Sequence, residues 1–155
     1  MKKALFITLD NTLITTKSKQ KYALHSEDWK FNNQAIACIK DFISKGFVLL
    51  IITNQQRIAQ GLLSDKTFMR KMNLIITTLE KDLGLKSDSI NFEYCTDVED
   101  FNFLPSPGMI YQLALEFQLD IKGSYLLGSS VFDKAIINYC GIPAYIDITD
   151  LNYPI

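Results

Sequence analysis

Polar residues that could do chemistry follow four short apolar runs of the sequence. The four polar stretches read TLDNT from residue 8, TNQQR from residue 53, LPSPGM from residue 104 and GSSVFD from residue 128. Carboxylates, hydroxyls and amides at such places can bind an anion or a cation, or transfer a proton. One such stretch alone is a weak signal. Four of them in this order form a specific combination.

The elements that must position these residues alternate between strand and helix patterns. Strands are predicted over residues 4–9, 47–53, 90–95, 124–127 and 144–148, all of them short and largely apolar. Such strands are typical of a parallel sheet that is buried on both faces, with helices on either side. In an open α/β sheet the functional loops leave the carboxyl ends of the strands. We therefore predict a three-layer, Rossmann-like α/β fold whose polar loops meet at one sheet edge.

Four helices are predicted between the strands. Apolar residues at helical spacing mark the first two, at Ile36, Ile39 and Ile43, and at Phe68, Met72, Ile75, Leu79 and Leu83. The third helix is predicted to start with Ser106 as N-cap and Pro107 in its first turn. The fourth is predicted to run from Val131 to Cys140. The segments 11–32 and 97–105 show no clear period and are interpreted as loops.

Length and charge limit the possible functions. A chain of 155 residues with 48% hydrophobic residues is enough for a single domain, predicted over residues 1–155. The net charge of −1, with scattered acidic and basic residues, argues against binding to nucleic acid or to an anionic membrane. No apolar stretch is long enough to cross a bilayer. The prediction is a soluble, cytoplasmic protein without membrane association.

The cysteines do not form a metal-binding pattern. Cys38, Cys95 and Cys140 are far apart, and His25 is the single histidine of the chain. Zinc sites need about four closely placed cysteine or histidine ligands, so no zinc is predicted. All three cysteines are interpreted as structural residues.

The four polar stretches resemble motifs of the haloacid dehalogenase-like (HAD) superfamily. The similarity is to its capless branch, subfamily III, which contains heptose bisphosphate phosphatases, histidinol phosphatases and the 3′-phosphatase domain of polynucleotide kinase. It spans nearly the whole chain and is most specific in GFVLLIITNQQRIAQG, residues 46–61, followed by PSPGM and GSSVFDKAIINYCGI. The resemblance implies a HAD fold without a large cap domain.

The resemblance also assigns roles to positions of this chain. It implies a nucleophile position at Thr8, an acid/base position at Asp10, a phosphate-binding hydroxyl at Thr53, a lysine position at Leu104 and metal-binding positions at Ser129 and Asp133. Family members carry an aspartate at the first of these, a lysine at the fourth and an aspartate at the fifth. This chain has replaced three of the principal groups.

The replacements weaken the chemistry that the resemblance implies. Magnesium prefers charged oxygen ligands, whereas Thr8 and Ser129 offer neutral hydroxyls. Without a cation, the charge on a transferring phosphoryl group loses its main stabilisation. We therefore expect no cofactor. If the chain does bind a metal, Asp10 and Asp133 are the expected ligands. Magnesium is expected only if the chain is an active phosphatase.

An anion-binding cleft is still predicted. Thr53, Asn54 and Arg57 follow the second strand and could bind a phosphate group. Each residue also has an ordinary structural interpretation, since Asp10 could cap a turn, Asp133 could brace a helix start, and Arg57 could be a solvated loop residue.

Three functions remain open. The first, favoured from the substitutions, is a catalytically deficient pseudophosphatase with a binding or regulatory role. The second is a weak or atypical phosphatase, a hydrolase acting on a small phosphorylated metabolite or a nucleic-acid 3′-phosphate. The third is a structural partner of another protein. The predicted partner is thus a small phosphorylated ligand or an unidentified protein.

Overall fold

The structure is a computed structural model that describes residues 1–150. The last five residues of the predicted domain, 151–155, lie outside the described residues. The strands are β1 Ala4–Thr8, β2 Ile14–Thr15, β3 Lys30–Phe31, β4 Val48–Asn54, β5 Asn91–Cys95, β6 Tyr125–Gly128 and β7 Ala144–Asp147. The helices are α1 Asn33–Ser44, α2 Gln56–Ala59, α3 Asp65–Leu83, α4 Gly108–Phe117, α5 Val131–Ala135 and α6 Ile137–Cys140, with a 3₁₀ turn at Ile121–Gly123.

Five of the strands form one parallel sheet in the order β5-β4-β1-β6-β7. In the centre, Thr8 pairs with Ile52 of β4, and Ile7 pairs with Leu127 of β6. All pairings in this sheet are parallel, so the carboxyl ends of the strands lie along one edge. The α/β fold with a parallel central sheet is confirmed.

Each face of the sheet is covered by its own apolar cluster. Leu5 and Ile7 of β1 belong to the cluster that α1 and α3 cover. Phe6, between them, points to the opposite face and packs with residues of α4, such as Ile110. This alternation follows from the two-residue period of a strand. Because both faces of the sheet are covered, all of β1 is buried.

Two details of the helix prediction were wrong. The third helix begins at Gly108 with Pro107 at its N-cap position, and Ser106 does not cap it. The turn is held instead by the preceding loop, since the Gly108 amide donates to the Phe101 carbonyl. A side chain at Gly108 would collide with Asn102, because a Cβ there would lie 2.1 Å from Asn102 Oδ1.

The second wrong detail is the predicted helix from Val131 to Cys140. It is two short helices, α5 and α6, that meet at the fully buried Ile136. The amide of Ile136 donates to the Asp133 carbonyl, and that of Tyr139 donates to the Ile136 carbonyl. These bonds reach back three residues, not four, so the α-helical ladder is interrupted there.

The predicted loop of residues 11–32 contains a small two-stranded ribbon and a buried carboxylate. Strands β2 and β3 pair antiparallel, with Ile14 opposite Phe31. Asp28 accepts hydrogen bonds from Ser18 N at 2.8 Å, Ser18 Oγ at 2.6 Å and Leu24 N at 2.9 Å. The Ser18 hydroxyl, with the Leu24 amide, lowers the pKa of Asp28 to about 2.

The three cysteines are buried, as expected of structural residues. Burial raises the pKa of the Cys95 and Cys140 thiols. Within residues 1–150, no helix combines the length and the apolar character that crossing a membrane requires.

Asp28→Asn should loosen the segment from Ser18 to Leu24, because an amide nitrogen would then face two hydrogen-bond donors. Since folding lowers the pKa of Asp28 from 3.8 to about 2, its contribution to the free energy of unfolding is complete above pH 3.8 and is lost as the pH falls towards 2. Thermal unfolding should therefore show a wild-type advantage over Asp28→Asn at neutral pH that shrinks in acid. The exposed Asp82→Asn is the matched control, and a pH-independent difference would contradict the assignment.

Candidate functional site

A cavity of about 520 Å³ opens at the carboxyl edge of the sheet, and we call it the cleft. Its lining includes Asp10, Tyr22, Asn54, Gln55, Arg57 and Lys71. One wall comes from the loop between β1 and β3, and the other from the residues after β4 and from α3. A separate cavity of about 380 Å³, lined by Lys3, Lys45 and Lys122, contains none of the predicted site residues.

Next to the cleft, three hydroxyls and one carboxylate form a closed group that we call the hydroxyl network. Thr8 Oγ1 donates to Asp133 Oδ2 at 2.9 Å and shares a 2.7 Å hydrogen bond with Thr12 Oγ1. Thr12 Oγ1 donates to Ser129 Oγ at 2.9 Å, and the Ser129 amide donates to Asp133 Oδ2 at 3.0 Å. The loops after β1 and β6 are thereby joined side chain to side chain.

The local fold brings these two loops close together. Gly128 ends β6, and a Cβ there would lie 2.6 Å from Asp133 Cβ and 2.9 Å from Tyr145 Cε1. Glycine is therefore required for α5 to turn back against the strand. Burial, followed by the charge of Asp133, raises the pKa of Tyr145 to about 12, so its hydroxyl stays protonated beside the network.

The hydroxyl network is a poor match for magnesium. It offers one carboxylate, Asp133, and Oδ2 of that carboxylate already accepts from Thr8 and Ser129. Magnesium in proteins takes near-octahedral oxygen ligands and is usually bound through charged carboxylates. Across residues 1–150, no three His, Cys, Asp or Glu side chains are grouped so that they could hold a metal ion. The residues of the hydroxyl network therefore do not fit a magnesium ion.

Asp10 belongs to a second group of polar contacts, at the cleft itself. Gln55 Nε2 donates both to Asp10 Oδ2 at 3.1 Å and to Thr53 Oγ1 at 2.9 Å. Lys71 Nζ lies 4.0 Å from Asp10 Oδ1. The Asp10 side chain is 54% exposed, whereas Thr53 is buried. Of these residues, Asp10 is thus the one that presents a reactive group to a ligand.

Asn54 and Leu104 contact each other and form part of the scaffold. Asn54 Nδ2 donates to the Leu104 carbonyl at 3.0 Å, and Asn54 Oδ1 accepts from the Leu104 amide at 2.8 Å. Both ends of the Asn54 amide are therefore used, which leaves little capacity for the predicted phosphate contact. The Leu104 side chain is buried in the apolar cluster around Phe6, so no charge comes from this position.

Arg57 packs against an aromatic ring. Its guanidinium carbon lies 3.9 Å from the centroid of the Tyr22 ring, a cation–π distance. Its Nε is buried and has no hydrogen-bond partner within residues 1–150. The position is half-buried at the cleft, which differs from the interpretation of Arg57 as a solvated loop residue.

The cleft is electropositive. Three cationic side chains, Lys21, Arg57 and Lys71, line it, and Asp10 is its single carboxylate among the described residues. Such a surplus of positive charge attracts an anionic ligand and raises its local concentration.

The sequence interpretation missed Gln55, Tyr22 and Lys71. Gln55 stands within the TNQ stretch that marked the resemblance, so its position was available as a signal. Lys71 lies three residues after Phe68 and four before Ile75, both in the buried stripe of α3. A lysine at that spacing borders the core, and this signal could have singled it out. Tyr22 lies in a segment without any period, and no sequence signal pointed to it.

Comparisons with known proteins agree with this fold. A model of the family "Polynucleotide kinase 3 phosphatase" matches residues 3–141. A D-glycero-beta-D-manno-heptose-1,7-bisphosphate 7-phosphatase from Pasteurella multocida is 29% identical over 142 residues, which cover 86% of this chain and 74% of that protein. One from Helicobacter pylori is 31% identical over 134 residues, covering 84% of this chain and 75% of that protein.

Solved structures show the same fold. The D,D-heptose 1,7-bisphosphate phosphatase from B. bronchiseptica, complexed with magnesium and phosphate, superposes with a TM-score of 0.70 at 19% identity over 89% of this chain and 77% of that one. A HAD-like phosphatase structure from Mesorhizobium loti gives 0.71 at 21% identity over 85% of this chain, which spans 65% of the length of that protein. At these identities the likeness shows the fold alone. With the family model matching most of its length, the chain belongs to the polynucleotide kinase 3 phosphatase family of the HAD superfamily, subfamily III.

Proposed function

We propose that this chain is an atypical phosphatase of its family that binds a small phosphorylated metabolite in the cleft. The observation that carries the proposal is the exposed carboxylate of Asp10 in a cleft whose other charged side chains are cations. The cations suit a phosphate group, and the carboxylate suits a proton transfer next to it.

The names of the relatives support hydrolysis of a sugar phosphate. Those reported above are heptose bisphosphate phosphatases, and this favours the phosphatase over the pseudophosphatase that the substitutions alone suggested. A small metabolite is also favoured over a nucleic-acid 3′-phosphate. Nucleic-acid binding relies on a broad basic surface, and the net charge of this chain is −1.

The side chains restrict how hydrolysis can proceed. If Thr8 Oγ attacked phosphorus, the product would be a phosphothreonine, an ordinary ester that does not turn over. Thr8 also donates its hydroxyl proton to Asp133 within the hydroxyl network. We therefore infer direct attack by water, since Asp10 is the exposed base at the cleft.

In this step a water oxygen forms a bond to phosphorus, and the water gives a proton to the Asp10 carboxylate. The bond between phosphorus and the ester oxygen breaks, and that oxygen takes a proton from Asp10 or from solvent. Gln55 donates a hydrogen bond to the carboxylate and holds it in place, and Lys71 Nζ lies 4.0 Å from its other oxygen. The rate should be low, because no aspartyl-phosphate intermediate divides the reaction into two easier steps.

A second candidate is the catalytically deficient binding protein. The hydroxyl network favours it, because the network satisfies its own donors where family members carry the nucleophile and a metal ligand. Both candidates require that the cleft binds a phosphorylated ligand. They differ in turnover alone.

The first prediction here is slow, multiple-turnover release of phosphate by the purified protein from a panel of sugar phosphates that includes heptose 1,7-bisphosphate. Asp10→Asn should lower the rate by about 100-fold or more, because it removes the general base. Asp82→Asn, an exposed carboxylate on α3, should leave the rate unchanged.

The outcomes separate the candidates. Turnover that is insensitive to Asp10→Asn would mean that a contaminant is responsible and would contradict the mechanism. Binding without turnover would favour the deficient binding protein. If the protein neither binds nor hydrolyses any member of the panel, both candidate functions are contradicted.

The second prediction concerns magnesium. Millimolar magnesium should raise the free energy of unfolding by about 0.5 kcal/mol or less, because the network offers one carboxylate. The double substitution Thr8→Asp with Ser129→Asp should increase this stabilisation to about 1–3 kcal/mol. Thr8→Asn with Ser129→Asn is the uncharged control. Strong, saturable stabilisation of the wild type, measured by thermal unfolding, would show that other acidic residues bind the ion.

A further inference from the structure

Lys71 lines the cleft and is paired with Asp10. Its side chain is 12% exposed, although lysine is almost always solvent-accessible in proteins. The position follows from the helix period, since Phe68 and Ile75 on either side of it are fully buried core residues of α3. The helix thus brings an ammonium group to the cleft from the border of its apolar face.

The ammonium group of Lys71 has unused binding capacity. It has three donors, and within residues 1–150 its recorded partner is Asp10 Oδ1, at 4.0 Å. That separation is beyond hydrogen-bonding range, so the ion pair is loose. Asp10 itself is 54% exposed and shares its other oxygen with Gln55. The ammonium at the end of this largely buried side chain has a single, distant charge partner, and a closer anion would bind to it favourably.

The surroundings restrict the anion that fits. Lys71 and Arg57 line the same cleft, and the Nε atom of Arg57 is buried without a partner among the described residues. Hydroxyl donors, Ser64 and Thr67, line it as well. Several donors and more than one positive charge match a phosphate dianion with its three terminal oxygens better than a carboxylate.

We propose that Lys71 is the principal phosphate-binding cation of this cleft, and that Asp10 is its counter-ion when no ligand is bound. The proposal rests on the proposed function, because it assigns a residue to the phosphate of the same ligand. Helix α3 thereby supplies the positive charge that the buried Leu104 cannot supply from the loop after β5.

This arrangement predicts effects of opposite sign at the two partners. Loss of the Lys71 charge removes an attraction for phosphate. Loss of the Asp10 charge removes both a repulsion and the anion that competes for Lys71. A residue with a merely structural role would weaken binding whichever partner was changed, so the signs distinguish the two roles.

The test is calorimetric titration of inorganic phosphate into the full chain at constant ionic strength. Lys71→Gln should weaken phosphate binding by about tenfold or more, whereas Lys71→Arg should retain it within about threefold. Asp10→Asn should tighten binding by a few fold, about two- to fivefold. The control is Lys81→Gln, the same charge change on the same helix, exposed and about 15 Å further along it; binding should not change.

Two failures can be told apart. If the wild type binds phosphate and Lys71→Gln binds it equally well, Lys71 is not the phosphate-binding cation, while the proposed function stands. If the wild type shows no saturable phosphate binding, both are overturned. Should Lys71→Gln fail to fold, Asp10→Asn still decides, because weaker or unchanged phosphate binding by that variant contradicts the proposal.

Discussion

The burial of β1 between β4 and β6 is the constraint on which the rest of this structure depends. All five residues of the strand are buried, and it pairs in parallel on both sides. Its carboxyl end can therefore be reached from one sheet edge alone. The loops after β4 and β6 arrive at the same edge, because parallel strands share their direction. Every contact between Thr8, Asp133, Gln55 and Asp10 follows from that register.

The hydroxyl network joins the ends of β1 and β6 through a single carboxylate. Two carboxylates close together repel each other and need a cation between them. Here Thr8 and Ser129 are neutral, and Asp133 accepts hydrogen bonds from the Thr8 hydroxyl and from the Ser129 main-chain amide. Buried polar atoms cost little when each finds a partner. The strand end and the α5 loop are therefore held together by hydrogen bonds between protein groups.

The charge of the cleft comes from segments that are distant in sequence. Lys21 belongs to the loop after β2, Arg57 to α2 and Lys71 to α3. Tyr22 fixes the Arg57 guanidinium by packing against it, and Asp28 fixes the loop that carries Tyr22. The polarity of the site thus depends on how a long loop and two helices pack over the sheet edge.

Sequence patterns were enough to predict the fold class, the family and the five strands of the sheet, within one or two residues at each end. Short apolar runs, helical stripes and the TNQ stretch are local signals. Burial of the apolar residues stabilises the strands and helices that these signals predict. The sequence patterns also predicted that Thr8, Asp10, Thr53, Ser129 and Asp133 lie at one sheet edge, because each stands at the carboxyl end of a strand or shortly after it. The start of α4 and the break at Ile136 escaped prediction, since both depend on contacts with a loop or with the core.

The partner of each polar group could not be predicted from the sequence, because it depends on tertiary packing. Asn54 could be placed near phosphate from its motif, but its amide is used by the Leu104 main chain, fifty residues away. Lys71 carried no motif, and although the helix period places it at the border of the core, only the packing of α3 shows that it lies beside Asp10. Periodicity specifies which face of an element is buried, whereas the partner of a polar side chain depends on which distant segment lies opposite. The partner of a polar side chain is therefore decided by packing, which is a property of the whole chain.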